Sequence, residues 1–435
     1  METPTLTIDA AVPAPPRPAA AASLSLLCFA LFAAAAMQMI FAPFQEAIKG
    51  DLKISDFQIS LIAGVATSIP VALLSLPIGW LTDISSRARL MKWMTLATVA
   101  GAVLTVFAHD FTLMFIARMM TGLGAFCALP VALSMASDLS KPTSRGNATM
   151  VIAVGQKIGV AVAFVVGGAL LGALAPRIAV PGLGEMASWR VISFGFAIAG
   201  ALSFLILLLL REPSRHEQEI TLPQAFWPAV VDLWQHRYVM TPLFVGQMTV
   251  VMADAAAAIW AAPVLTRDYH QTPAQFGPWM GLALLVGGII GAIVGGITAD
   301  LGQKSQVRGG LLISAIVASA IAVPASLFPI LPQVNDFAWA FAVLVFCGSL
   351  TGLVTAVAIG VYLPNELRGL CMGLFVVLSA IVGLAGAPVI VTVVSQMLGG
   401  EGHLAMALAV VGAVTSLIAV FGFVIALLRV RKSHG

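Results

Sequence analysis

The sequence predicts an all-α membrane protein, with twelve transmembrane helices in two pseudo-symmetric six-helix halves. Composition gives the class: of 435 residues, 60% are hydrophobic and only 9% charged, with a mean hydropathy of +1.01, whereas soluble domains carry about 25% charged residues. Apolar runs long enough to cross roughly 30 Å of hydrocarbon as helices recur along the whole chain. Two short polar signals repeat at an offset of about half the length, which divides the spans into halves.

Residues 1–22 hold five prolines and the acidic Asp9 where a signal peptide needs a basic and then an apolar region, so they read as a disordered cytoplasmic tail. Six spans follow, near 22–44, 57–82, 90–108, 112–137, 147–173 and 189–211, and the first half takes residues 23–211. The longest segment between spans, 212–237, becomes a central cytoplasmic loop. Spans near 238–265, 276–299, 309–330, 337–362, 369–397 and 404–429 make the second half, 238–430, before a short tail at 431–435. An even number of spans puts both termini on one face. The loops of that face carry Arg87, Arg89, Lys92, Lys141, Arg145, Arg211, Arg215, Arg237, Lys304, Arg308 and Arg368, against Lys49, Lys53, Arg177, Arg190 and Arg267 on the other. The excess of Lys and Arg predicts cytoplasmic termini, in a chain integral to the inner membrane.

Several function classes fall away. A net charge of +3 without a basic patch gives no footprint for nucleic acid. Cys28, Cys127, Cys347 and Cys371 all sit in apolar runs without CxxC or CxxH spacing, so neither a disulfide nor a metal site is expected. The chain has no GxxxxGK[ST], GxSxG or HExxH motif and no histidine within a span, so it reads as neither an ATP-driven machine nor an enzyme, and no cofactor is expected.

The repeat pairs GWLTD (Gly79 to Asp83) with GITAD (Gly296 to Asp300), an offset of 217. It also pairs Pro142 and Arg145-Gly146 with Pro364 and Arg368-Gly369, an arginine-to-arginine offset of 223. A duplicated six-helix unit places a substrate site between the halves near the bilayer midplane. At the cytosolic end of the second span, GWLTDISSRAR reads as a latch. Gly79 is expected to admit a neighbouring helix, Asp83 to accept from a helix N-terminus, and Arg87 and Arg89 to close the patch as charge-assisted donors.

This stretch resembles the major facilitator superfamily pattern G-x-L-x-D-x-x-x-R-x-R through Gly79, Leu81, Asp83, Arg87 and Arg89. GITADLGQK, with Gly296, Asp300 and Lys304, resembles the family's weaker second copy. The resemblance implies that Asp83 contacts the start of the eleventh helix near Arg368 and Gly369, with Arg145 in the corresponding patch. The local phrasing EAIKGDLKISDFQISLIAG, LPIGWLTD, RMMTGLG, WR (189–190) and LPNELRG looks most like spinster-type transporters. Those are associated with lysolipids and sphingoid phosphates, which implies an amphipathic anion as substrate. The chain departs from that group at Met37 and Gln38, where an Asp-Arg pair is usual, and at Ala125, where an acid is usual.

Charges at membrane depth cost roughly 2.5 to 3.5 kcal/mol or more and are functional candidates by default. Arg118 in the fourth span, Lys157 near the middle of the fifth and Asp254 in the outer half of the seventh stand out. In the family fold the first, fourth, seventh and tenth spans line the cavity, so Arg118 and Asp254 are expected to face each other and to pair as an outer gate. Gln247, seven residues before Asp254, shares its helical face. Gln38 and Gln156 complete the polar set, and Lys157 suits a phosphate or carboxylate headgroup. Glycines 155, 159 and 167 with Ala163, and glycines 287, 291 and 295, form small-residue ladders expected to join the two halves.

The leading functional expectation is a secondary active or facilitative transporter that moves an amphipathic or organic anion, lysolipid-like or carboxylate, by alternating access. It is expected to act as a monomer among membrane lipids. Alternatives are a proton-coupled multidrug or metabolite exporter that uses Asp254 and, in another class, a non-transporting membrane sensor.

Overall fold

A computed structural model describes residues 17–141, 144–182, 184–213, 226–305 and 307–432. Among the described residues, twelve helices are long and apolar enough to span a membrane: Ala20–Leu52, Asp56–Thr82, Arg87–Phe107, Phe111–Leu139, Arg145–Ala173, Ser188–Leu207, Arg237–Arg267, Pro273–Lys304, Gly310–Ile330, Val334–Tyr362, Glu366–Met397 and Glu401–Lys432. They are called the first to twelfth spans below. The face carrying both chain ends is the terminal face, and the other is the opposite face. Helices are the only open-chain solution here, because hydrocarbon offers backbone groups no partner outside the segment.

Span boundaries differ from the sequence expectation where polar residues continue a helix. The first helix starts at Arg17, so residues 17–22 are helical rather than tail, while residues 1–16 lie outside the described residues. After a break at Ile40 the chain continues as Phe41–Leu52, which carries Glu46, Lys49 and Asp51 above the apolar stretch. Ser55 then caps the second span in a reciprocal box with Gln58, satisfying two helix-end N–H groups. The central segment holds a helix, Phe226–Gln235, and residues 214–225 lie outside the described residues. A two-stranded hairpin, Arg177–Val180 with Gly184–Ala187, joins the fifth and sixth spans on the opposite face.

The fifth span packs on the eighth, and the second packs on the eleventh; these two seams join the halves. Their glycines are not the predicted ladders. A Cβ at Gly155 would meet Cys28, one at Gly159 Phe32 and one at Gly167 Ile40, all on the first span. Cβ atoms at Gly287, Gly291 and Gly295 would meet Ala342, Phe346 and Leu350 of the tenth span. The ladders therefore tighten each half internally, which corrects the expectation that they join the halves. The seam between halves uses Gly168 against Pro273, Gly277 against Phe164, Gly281 against Ala161 and Gly288 against Lys157. Gly168 is one residue beyond the ladder and thus about 100° further round the helix, which is enough to aim it at the other half.

The second seam has a different device. The second span contains a π-helical turn at Leu61–Val65 and the eleventh one at Ser379–Gly386. The two turns meet: a Cβ at Gly64 would lie 3.1 Å from Pro388 and 3.4 Å from the Ala385 carbonyl. π-helical turns leave a helix locally compliant and cluster at functional sites.

Candidate functional site

Mid-span, the residues singled out in the sequence sort into two groups. Asp254 and Gln247 do share a face of the seventh span, turned to the tenth. Gln247 accepts a 3.0 Å hydrogen bond from the Thr355 hydroxyl, and a Cβ at Gly348 would overlap the Asp254 carboxylate. Asp254 Oδ1 is buried without a hydrogen-bond partner among the described residues. Lys157 enters the same region from the other half. Lys157 has an exposed side chain at mid-span, and a Cβ at Gly288 of the eighth span would lie 3.6 Å from its Cε and Nζ. The ammonium thus sits at the seam between halves, with no carboxylate within 4.0 Å of it among the described residues.

Arg118 lies elsewhere. It is 5% exposed, donates from Nη1 to the Gln38 carbonyl at 2.7 Å and stacks 4.6 Å over the Phe41 ring. Its Nε and the Gln38 side-chain oxygen have no partner among the described residues. Arg118 forms no ion pair with Asp254, so the outer-gate pairing expected from sequence is not made. The physical reason is direction: Arg118 points at the first span inside its own half, a choice that depth along the helix does not determine. Gln156 also turns inward, donating to the Ala125 carbonyl at 3.0 Å.

What closes the opposite face is a charge network at the span ends. Arg267, at the end of the seventh span, donates to both oxygens of Asp56 at 2.6 and 2.7 Å and to Glu46 at 2.7 Å. Lys49 reaches Asp56 and Glu401 at 2.6 Å each, and the Asp56 backbone N–H donates to Glu401 at 2.9 Å. Glu46, Lys49 and Asp56 belong to the first half, Arg267 and Glu401 to the second, so every one of these cross-half bonds ties the halves together. Arg190 holds Asp51 at 2.8 Å beside them and stacks 4.4 Å over Trp189. Sequence reasoning missed this site because its residues lie at span edges, where charge is unremarkable. The Ser55–Gln58 capping box was the available signal that Asp56 begins a helix and faces inward.

On the terminal face, Arg87 of the predicted latch is bound within the first half. Arg87 is buried and binds Asp138 at 2.6 Å, Glu212 at 3.0 Å and the Ser134 hydroxyl at 3.1 Å. It thereby clamps the third span to the ends of the fourth and sixth. Glu212 also accepts from the Ala88 N–H and the Ser86 hydroxyl at 2.8 Å each. Burial raises the Glu212 pKa, but these donors and Arg87 outweigh it and hold the carboxyl below its ordinary value. A depressed carboxylate contributes stability that is present above the unfolded pKa, about 4.3 for Glu, and is lost as pH falls through the lower native value. The melting temperature of Glu212→Gln is therefore expected to lie below wild type at pH 7 and to converge with it on acidification below pH 4. A constant gap across that range would remove the charge from the clamp.

Several of the other latch residues are exposed on this face. Gly79 is exposed with nothing within 4 Å of a Cβ, so it does not seat a neighbouring helix as expected. Leu81 accepts the Ser85 N–H at 2.8 Å, and Arg89 is exposed, its N–H capped by the Ser86 hydroxyl at 3.2 Å. The Asp83 side chain, and Pro142, lie outside the described residues. Arg368 turns back to the Leu363 carbonyl at 3.0 Å. Arg145 sits in the first turn of the fifth span. A Cβ at Gly296 would lie 3.4 Å from Leu353, while Asp300 and Lys304 are exposed. The seam nearest this face is the contact of Gly373 with Leu76, a Cβ distance of 3.1 Å. Among the described residues no group of His, Cys, Asp or Glu is placed to hold a metal ion.

The family profile described as the Major Facilitator Superfamily matches residues 27–387. The chain belongs to that superfamily. It is a multi-pass membrane transporter rather than an enzyme. Among solved structures, this superfamily member is similar to a bacterial homologue of the human lysosomal transporter Spinster, captured inward-facing and unoccupied, at a TM-score of 0.77 with 18% identity over 95% of this chain and 97% of that one. The inward-facing, occupied form of a bacterial Spinster homologue gives 0.73 at 19% identity, covering 94% and 96%. The nucleoside transporter NupG, in a point-mutant form, gives 0.73 at 13% identity, covering 93% and 98%. At these identities the likeness is one of fold.

Proposed function

We propose that this transporter moves an organic anion with an apolar body, of the lysolipid or carboxylate kind, by alternating access. Lys157 carries the reading: a lysine at mid-span whose ammonium lies on the seam between halves, against Gly288 of the eighth span, while Asp254 of the second half keeps an unpartnered carboxylate oxygen. An anionic headgroup competes with Asp254 for that charge, and a substrate that spans both halves is what links binding to their rocking. In this reading the termini are cytoplasmic, the chain sits in the inner membrane, and the charge network closes the external face while the Gly79 region stands open to the cytoplasm. Likeness to inward-facing structures supports that orientation.

The test is uptake of a labelled lysophospholipid or sphingoid phosphate into proteoliposomes, with and without an imposed pH gradient. Flux in wild type that drops in Lys157→Gln supports the anion site; no anion flux at all overturns it. A second reading, proton-coupled export through Asp254, is favoured by its unpartnered, buried Oδ1. Flux that follows the pH gradient and is lost in Asp254→Asn supports coupling; gradient-independent flux in both proteins makes this a facilitator.

A further inference from the structure

Beside the seventh span, away from the seam of the fifth and eighth, lies an apolar groove of about 490 Å³ between the seventh span, the eleventh span and the short helix Phe226–Gln235. Its floor runs from Arg237 through Thr241, Phe244 and Val245 to Thr249 on one side, and from Cys371 to Val382 on the other. The twelve helical rises from Arg237 to Thr249 measure ~18 Å at 1.5 Å each, close to the ~15 Å of one leaflet's hydrocarbon. The groove therefore starts at the terminal face and stops near the midplane.

Its mouth is cationic and aromatic. Arg237 lies 4.5 Å from the Tyr238 ring and 5.7 Å from that of Trp234, and Arg429 lies 5.9 Å from Tyr238. Arg237 donates only to the Trp234 carbonyl and the Tyr238 hydroxyl, 3.0 Å each, and no carboxylate lies within 4.0 Å of it among the described residues. Asp232, the acid on the same short helix, accepts from Gln235 at 3.4 Å. Trp234 and Tyr238 are 67% and 58% exposed, as aromatic residues at a headgroup boundary are. Guanidinium groups left without carboxylates match a phosphate bidentately, and the apolar floor below matches an acyl chain.

We propose that this groove is a resident binding site for an anionic phospholipid of the terminal-face leaflet, its phosphate at Arg237 and one acyl chain along Phe244, Val245 and Leu378. The lipid holds the short helix and the seventh span against the eleventh, and so touches the element carrying Asp254 from outside the transport path. This site is independent of the substrate at Lys157.

The test is native mass spectrometry of the full-length protein titrated with phosphatidylglycerol or phosphatidylcholine. Wild type is expected to keep phosphatidylglycerol adducts in preference to phosphatidylcholine. Losing one interfacial charge is worth about fivefold, so Arg237→Gln should weaken the anionic adduct by about that factor, with Arg237→Lys between the two. Val245→Trp, which fills the floor, should remove the adduct. Lys157→Gln should retain it, and glycerol phosphate, which lacks the chain, should not displace it. Equal adducts in wild type, Arg237→Gln and Val245→Trp would overturn the site, as would loss in Lys157→Gln, which would put the lipid in the transport path.

Discussion

Neutralising Asp56 loosens the face opposite the termini: in Asp56→Asn, backbone hydrogen exchange over residues 44–60, 258–270 and 399–404 is expected to speed up while the helices deeper in each half keep their protection. Asp56 is 2% exposed and receives Arg267 twice and Lys49 once. The substitution keeps the side chain's shape and leaves the Ser55–Gln58 cap in place, but removes the charge on which both cations converge. A hydrogen bond to a charged group is worth about 1.5 to 3 kcal/mol, which corresponds to a roughly ten- to 150-fold change in the ratio of closed to open opposite faces. Arg267→Ala should act in the same direction, because it leaves Asp56 with Lys49 alone and frees Glu46. Unchanged exchange in both variants would mean that apolar packing, not charge, closes this face.

Lys157 and Asp254 give the second large effect. Lys157→Gln is expected to lower anion flux by tenfold or more, on the order of one charge-assisted contact, while leaving flux of a neutral solute near wild type. Equal losses for both solutes would make the lysine structural. The double variant Lys157→Gln/Asp254→Asn should lose less stability than the sum of the singles, because neither charge is then left facing an uncharged partner. Arg118→Ala combined with Asp254→Asn should instead be additive, since Arg118 is bound to the Gln38 carbonyl and Phe41. A coupled Arg118 cycle with an additive Lys157 cycle would restore the pairing expected from sequence.

Much of the architecture is legible without coordinates. Composition and run length predict the twelve spans, and the repeated GWLTD and GITAD signals predict the division into halves. The seven-residue spacing of Gln247 and Asp254 places both on one face. The departures have a common form. The glycine ladders are packing faces, but they meet a different neighbour from the one the sequence suggests. Arg118 binds the first span in place of Asp254, and Arg87 clamps one half where a patch between halves is expected.

The sequence by itself determined which segments are long and apolar enough to span a membrane, where along each span a charge falls and which residues share a helical face. Those follow from hydrophobic length and the 3.6-residue period, both local properties. Only the tertiary structure decided which neighbour each face meets: Gly168 rather than Gly167 at the seam, Lys157 against Gly288 of the other half, Arg118 on Gln38 of its own, and Arg267 across the halves to Asp56. A rotation of one residue, about 100°, turns a side chain from its own half to the other. That angle is set by the packing of all twelve helices together and by no one of them alone.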